Sequence, residues 1–205
     1  ISPLYIDQLL RFNREKGDDP PNKLIDLIAL RAERLNMAAR TVLQGIAVLG
    51  YAASTAQLVE LLPDVHDVAR YLGELMSAGF VAVATGPGGE RVAELTHPLF
   101  RDATLASTPA GVRNSLHARA RNLTGAPMPL EADAIHAFYA EQSFEALMLL
   151  ERSADKSLVR GDTRGAVRML HMAVDLARRE MMRGELDDPV SALLMFSCKL
   201  GDALA

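Results

Sequence analysis

The chain is 205 residues long and 49% apolar, enough for one large domain or a few small ones, each burying its own core. Six Phe, four Tyr and no Trp, against abundant Ala, Leu and Met, favour helix packed on helix over a large β core, and a formal charge of −4 argues against a surface that tracks nucleic acid throughout. The single cysteine, Cys198, excludes an internal disulfide and a thiolate metal site and points to a reducing compartment, the cytosol.

No apolar run reaches the roughly 20 residues that span a bilayer, and the first residues lack the basic-then-apolar order of a signal peptide. The sequence opens on Ile1 inside a helical pattern and stops at Ala205 inside another, so we expect a piece of a longer protein.

In chain order, Ser2 and Pro3 open a helix carrying Leu4, Ile6, Leu9, Leu10 and Phe12, broken at Gly17 and the Asp18-Asp19-Pro20-Pro21 run. Asn22 starts a second helix with a stripe of Leu24, Leu27, Ile28, Ala32 and Leu35, and Arg31, Glu33 and Arg34 are expected mostly outside it. Asn36 caps a third helix, with Val42, Ile46 and Leu49 inward and Gly50 as its stop. Ser54 caps a short fourth helix that Pro63 ends, and Asp64 caps a fifth running from Val65 to Gly79. Phe80–Ala84 and Arg91–Leu95 are two strands joined by the turn-forming Thr85-Gly86-Pro87-Gly88-Gly89-Glu90. Short helices followed by a single hairpin predict a winged helix.

Thr96-His97-Pro98 then opens a sixth helix, with Leu99, Phe100, Ala103 and Ala106 on one side. Pro109 starts a seventh, with Val112, Leu116, Ala120 and Leu123 inward, ending at Gly125 and Pro127-Met128-Pro129. Four more helices are expected: 130–141, 144–160, 163–183 and from Pro189 onward. Gly161 to Ala166, followed by Leu170 and Ala173, has the Gly, Ala, aliphatic, Ala spacing of a tetratricopeptide repeat helix, with a weaker echo at Glu141 to Ala146. The expected fold class is mainly α: two helices at 1–35, a winged helix-turn-helix with one β-hairpin at 36–108, and a tetratricopeptide-like helical array at 109–205.

No catalytic constellation is present. The five histidines show no i, i+4 pairing and no nearby carboxylate or thiol cluster, so no metal site is expected, and Gly86-Pro87-Gly88-Gly89 lacks the Lys-Ser/Thr ending of a phosphate loop. A recognition helix that grips DNA needs lysine or arginine on its exposed face. From Ser54 to Leu95 there are two basic residues, Arg70 and Arg91, against six acidic ones, so packing against protein is the expected use of this winged helix. Arg113, His117 and Arg121 recur at i, i+4, i+8, with Arg101 and Arg119 nearby. They form a candidate basic patch, to be weighed against a solvated helix face. His97, at a helix N-cap, could donate a ring N–H to an anion or simply cap its own helix.

Ser2 to Leu10 (SPLYIDQLL), the Val42–Gly50 helix, Thr96 to Asp102 (THPLFRD) and the Gly161–Ala173 repeat occur in an order that resembles the signal-transduction ATPases with numerous domains. It resembles in particular the bacterial members, such as large ATP-binding LuxR-type regulators and ATPase modules fused to serine/threonine kinases or cyclases. The resemblance spans essentially the whole chain and implies that residues 1–35 are the C-terminal part of the ATPase helical lid. It implies that Pro3 is the proline of a GxP motif that packs on the adenine, with Ile1-Ser2 in place of Gly-Asn. It also implies that His97 is the histidine of an MHD-type motif contacting the β-phosphate of ADP, with Pro98 in place of the aspartate. ATP or ADP with magnesium is then a cofactor of the parent protein, held by a phosphate loop and an acidic strand expected upstream of Ile1, and this chain is not an enzyme by itself. Its partners would be the nucleotide-binding and output domains of the same protein, plus a protein held by the helical repeats. A DNA-binding transcription factor and a plain helical adaptor are the alternatives.

Overall fold

The computed structural model describes residues 2–15, 21–86, 89–124, 128–184 and 186–205, with only the backbone at 13–15. The predicted break at Gly17–Pro20, the hairpin tip at Pro87-Gly88 and the helix stop at Gly125 and Pro127 lie outside the described residues. The elements run α1 (Pro3–Glu15), α2 (Leu24–Glu33), α3 (Met37–Leu49), β1 (Ala53–Ser54), α4 (Thr55–Leu61), α5 (Val68–Ser77), β2 (Val81–Thr85), β3 (Arg91–Leu95), α6 (Pro98–Ser107), α7 (Ala110–Ala120), α8 (Leu130–Tyr139), α9 (Ser143–Val159), α10 (Thr163–Arg183) and α11 (Pro189–Leu204). The chain is therefore mainly helical, with one small antiparallel sheet among the described residues, and it divides into two compact units, 1–116 and 117–205. Among the described residues no helix is long and apolar enough to cross a membrane.

In the first unit α3, α4 and α5 are followed by the β2–β3 hairpin, and the strand order is β1-β3-β2. That is the element order of a winged helix. The predicted strands are present, pairing Val81 with Leu95 and Thr85 with Arg91. The third strand was not expected: Ala53 and Ser54 pair with Ala93 and Val92. Two residues carry no periodicity, so β1 has no signal of its own in the sequence. The cap of α4 fixes it, because Ser54 forms a capping box with Gln57, at 3.1 Å from the Gln57 N–H to Ser54 Oγ and 2.9 Å from the Ser54 N–H to Gln57 Oε1.

Three expectations for this unit are corrected. Helix α5 starts at Val68, capped by Asp67 in a left-handed conformation (φ 60°), not at Val65 behind Asp64. Val65 instead closes a turn, its N–H on the Leu62 carbonyl. Among the described side chains of α1, Phe12 of the expected stripe is buried, but Gln8 one turn before it is buried too, while Ile6 and Leu10 of that stripe are about half exposed. Arg31, expected outside the α2 stripe, is only 2% exposed. Its guanidinium donates to Gln8 Oε1 and to the Ala78 carbonyl (2.7 Å) and lies 4.9 Å from the centre of the Phe80 ring. Arg31 thus joins α1, α2 and the turn from α5 into β2. Leu27, Ile28, Val42, Ile46, Leu58, Leu75, Phe80 and Phe100 are among the buried core residues of this unit, with the last two rings 5.5 Å apart.

In the second unit each of α9, α10 and α11 packs on the helix before it, as short connections between helices require. The α8–α9 and α9–α10 connections share one shape. Glu141 (φ 59°) and Gly161 (φ 75°) are both left-handed, and the N–H groups of Gln142 and Asp162 reach back to the carbonyls of Ala137 and Ser157. The weak echo between Glu141–Ala146 and Gly161–Ala166 is thus a repeated interhelical turn, with Ala146 and Ala166 fully buried after it. Leu150, Met169, Leu170, Ala173 and Phe196 continue this core. Buried Glu180 on α10 accepts from the Ser143 hydroxyl at the start of α9 (2.9 Å), tying the two helices together.

Candidate functional site

His97 is placed by the end of the hairpin. The Thr96 N–H bonds to the Phe80 carbonyl at 3.0 Å and its hydroxyl to the Gly79 carbonyl at 3.0 Å, so the chain leaves β3 in a fixed direction. Pro98 then supplies the φ that starts α6, and His97 occupies the N-cap with its Nδ1 accepting from the Leu99 N–H at 3.1 Å. The histidine caps its own helix, one of the two roles the sequence left open. Because Nδ1 is an acceptor there, the neutral ring carries its proton on Nε2. The ring is edge-on to Phe100, with centroids 6.4 Å apart, which further restricts its orientation.

A cleft of about 310 Å³ lies beside this ring, lined among others by Gly50, Tyr51, Glu94, His97 and Arg101. Tyr51 follows the end of α3, and partial burial pushes its hydroxyl above the usual tyrosine pKa, so it stays a proton donor at neutral pH. Arg101 donates from Nε to the Ala47 carbonyl at 2.9 Å, satisfying one of the carbonyls left over at the C-terminus of α3. Its guanidinium also lies over Gly50, the left-handed residue (φ 72°) that ends α3. A methyl group at Gly50 would sit 2.9 Å from an Arg101 nitrogen. Gly50→Ala is therefore expected to cost about 1–2 kcal/mol from left-handed strain alone and to push Arg101 off Ala47. A thermal melt checks the first effect, and an unshifted midpoint would contradict it.

The cleft gathers N–H and O–H donors with one carboxylate at its rim, a set suited to an oxyanion. Among the described residues no group of three or more His, Cys, Asp or Glu side chains could hold a metal ion. Of the sequence-derived candidates, His97 and Arg101 share the cleft. Pro3 opens α1, is exposed and is not among the lining residues. Tyr51 and Glu94 carry no sequence motif, and only the tertiary fold brings them to the site.

The Arg113, His117, Arg121 run does not form one solvated face. Arg113 reaches back to the Leu105 carbonyl (3.5 Å), and Arg121 Nε is ion-paired with Asp133 at 2.7 Å and also bonded to Gln142. His117 is 1% exposed, its Nδ1 2.7 Å from Nδ1 of buried His136, with the Tyr139 ring stacked at 4.9 Å. Histidines 19 positions apart, on either side of the segment before α8, have no periodic signature that pairs them. No protein-family model, curated protein or solved structure matches the chain.

Proposed function

We propose that this chain is a regulatory segment of a multidomain signalling ATPase of the cytosol. In this reading the winged helix couples nucleotide state, ADP closed and ATP open, to the helical array and to a separate output domain, a transcriptional regulator or a serine/threonine kinase. The carrying observation is the His97 ring, locked by the Leu99 N–H so that Nε2 keeps its proton beside a cleft holding Tyr51 and Arg101. When a nucleotide is bound by the parent protein, its phosphates supply the negative charge that those donors match. His97 would donate from Nε2 to a phosphate oxygen and Tyr51 from its hydroxyl, while Pro3 would lie against the adenine.

Arg31 supports the same reading mechanically. It bonds α1 and α2, the lid-type helices, to the turn entering the wing, so movement of one would be felt by the other. The helical array would receive a protein partner. DNA binding is disfavoured because Arg70, the basic residue of α5, is paired with Glu74 on the same exposed face (3.3 Å).

In a protein that joins this chain to its nucleotide-binding core, His97→Ala is expected to speed ADP dissociation about 10- to 100-fold, the worth of one hydrogen bond to a charged group. His97→Gln, which keeps an N–H donor, should lie between. Stopped-flow release of a fluorescent ADP analogue reads both rates. Unchanged dissociation in His97→Ala would overturn the reading.

A further inference from the structure

A second concavity lies in the unit 117–205. Between the first turns of α9 and α11 runs a groove of about 260 Å³. Its floor is Leu147 and Phe196, 7% and 1% exposed, and its walls are Phe144 and Met148 on α9 and Met195 on α11. These three wall residues are 64%, 49% and 41% exposed. Single exposed apolar side chains need no explanation, but three large ones around one groove form a patch of the kind that marks an interaction site. Phe144 and Met148 are one helical turn apart and form a continuous ridge. The volume falls below the about 300–1,000 Å³ that encloses a small molecule and suits anchoring side chains of a larger partner.

Charge selects that partner. Glu151 on the groove is neutralised by Lys199 (2.6 Å). At the other end Asp187 and Asp188 stand side by side and exposed, and neither makes an ion pair among the described residues. Asp188 caps α11 by accepting from the Ser191 N–H (2.9 Å), and bonding to Ser191 holds its carboxyl below the usual range, so its charge persists at neutral pH. The groove is thus apolar along its length and negative at one end.

We infer that this groove docks an amphipathic helix of a partner protein, one with large apolar side chains a turn apart and lysine or arginine at the end that meets Asp187 and Asp188. The inference rests on the part of the proposed function that gives the helical array a partner, and not on the nucleotide contact.

The test uses the 205-residue chain without nucleotide. A fluorescent helical peptide with Phe and Leu one turn apart and lysines clustered at one end is titrated by anisotropy, beside a twin with glutamates in place of the lysines. The lysine peptide is expected to bind at least about tenfold more tightly than its twin, and less tightly as salt rises from about 0.05 to about 0.5 M. Phe144→Ala and Asp187→Lys change exposed side chains. Each should weaken the lysine peptide about tenfold, and Asp187→Lys should improve binding of the glutamate twin. Four outcomes would overturn the inference: no binding of either peptide, equal binding of both, indifference to both substitutions, or self-association of the chain that Phe144→Ala abolishes, which would give the groove to a second copy. None of these would alter ADP release in His97→Ala, so the two readings fail separately.

Discussion

Arg31→Ala is expected to destabilise the first unit by about 3–5 kcal/mol, because two losses act together. The Ala78 carbonyl and Gln8 Oε1 each lose a buried donor, and leaving a buried acceptor unsatisfied costs about 1–3 kcal/mol. Removing the long side chain also opens a void beside Phe80, which is 1% exposed, and cavities of this kind add to the loss. Arg31→Met separates the two, because it fills the void and restores no donor. Its cost should fall between those of alanine and the parent. Urea unfolding followed by circular dichroism gives the midpoints, and a loss under about 1 kcal/mol for alanine would show that Arg31 is not the tie between α1, α2 and the wing.

Arg31 also shows where a default rule misled. At about 100° per residue Arg31 falls between Leu27 and Leu35 on the helical wheel, in the middle of the apolar stripe. The periodicity therefore points inward, and only the solvation of charge favours the outside. In α1 apolar character likewise favours Ile6 and Leu10 as core positions, whereas Gln8 is the buried one. In both cases a polar residue is buried because it has a partner on another element, Gln8 for Arg31 and Arg31 for Gln8, and no single-helix pattern contains that partner.

Features with local causes were legible. The hairpin, the Ser54 cap, the Gly50 stop and the His97-Pro98 helix start all depend on residues within a few positions of each other. The start of α5 was ambiguous because Asp64 and Asp67 are both good caps. The choice fell to a left-handed Asp67 that composition does not announce. The candidate site is half legible for the same reason: His97 and Arg101 both belong to the start of α6, whereas Tyr51 and Glu94 come from the end of α3 and from β3.

The buried histidine pair of the second unit leads to the other large effect. Nδ1 of His117 and Nδ1 of His136 are 2.7 Å apart, so one must donate and the other accept. Truncating either to alanine removes an interaction from a partner that stays buried, and opens space where Tyr139 stacks on His117. We expect each single substitution to cost about 2–3 kcal/mol. Replacing both removes donor and acceptor together, so the double variant should cost less than the two singles added, by a coupling of about 1–2 kcal/mol. Two nearby charged groups, Arg121 and Asp133, are engaged with each other and are untouched by these changes, which keeps the cycle interpretable. A double-mutant cycle on unfolding free energy checks this. Simple additivity within about 0.3–0.5 kcal/mol would mean that the two imidazoles are neighbours without a shared proton, and that the end of α7 is joined to α8 by Arg121–Asp133 and the Tyr139 stack instead.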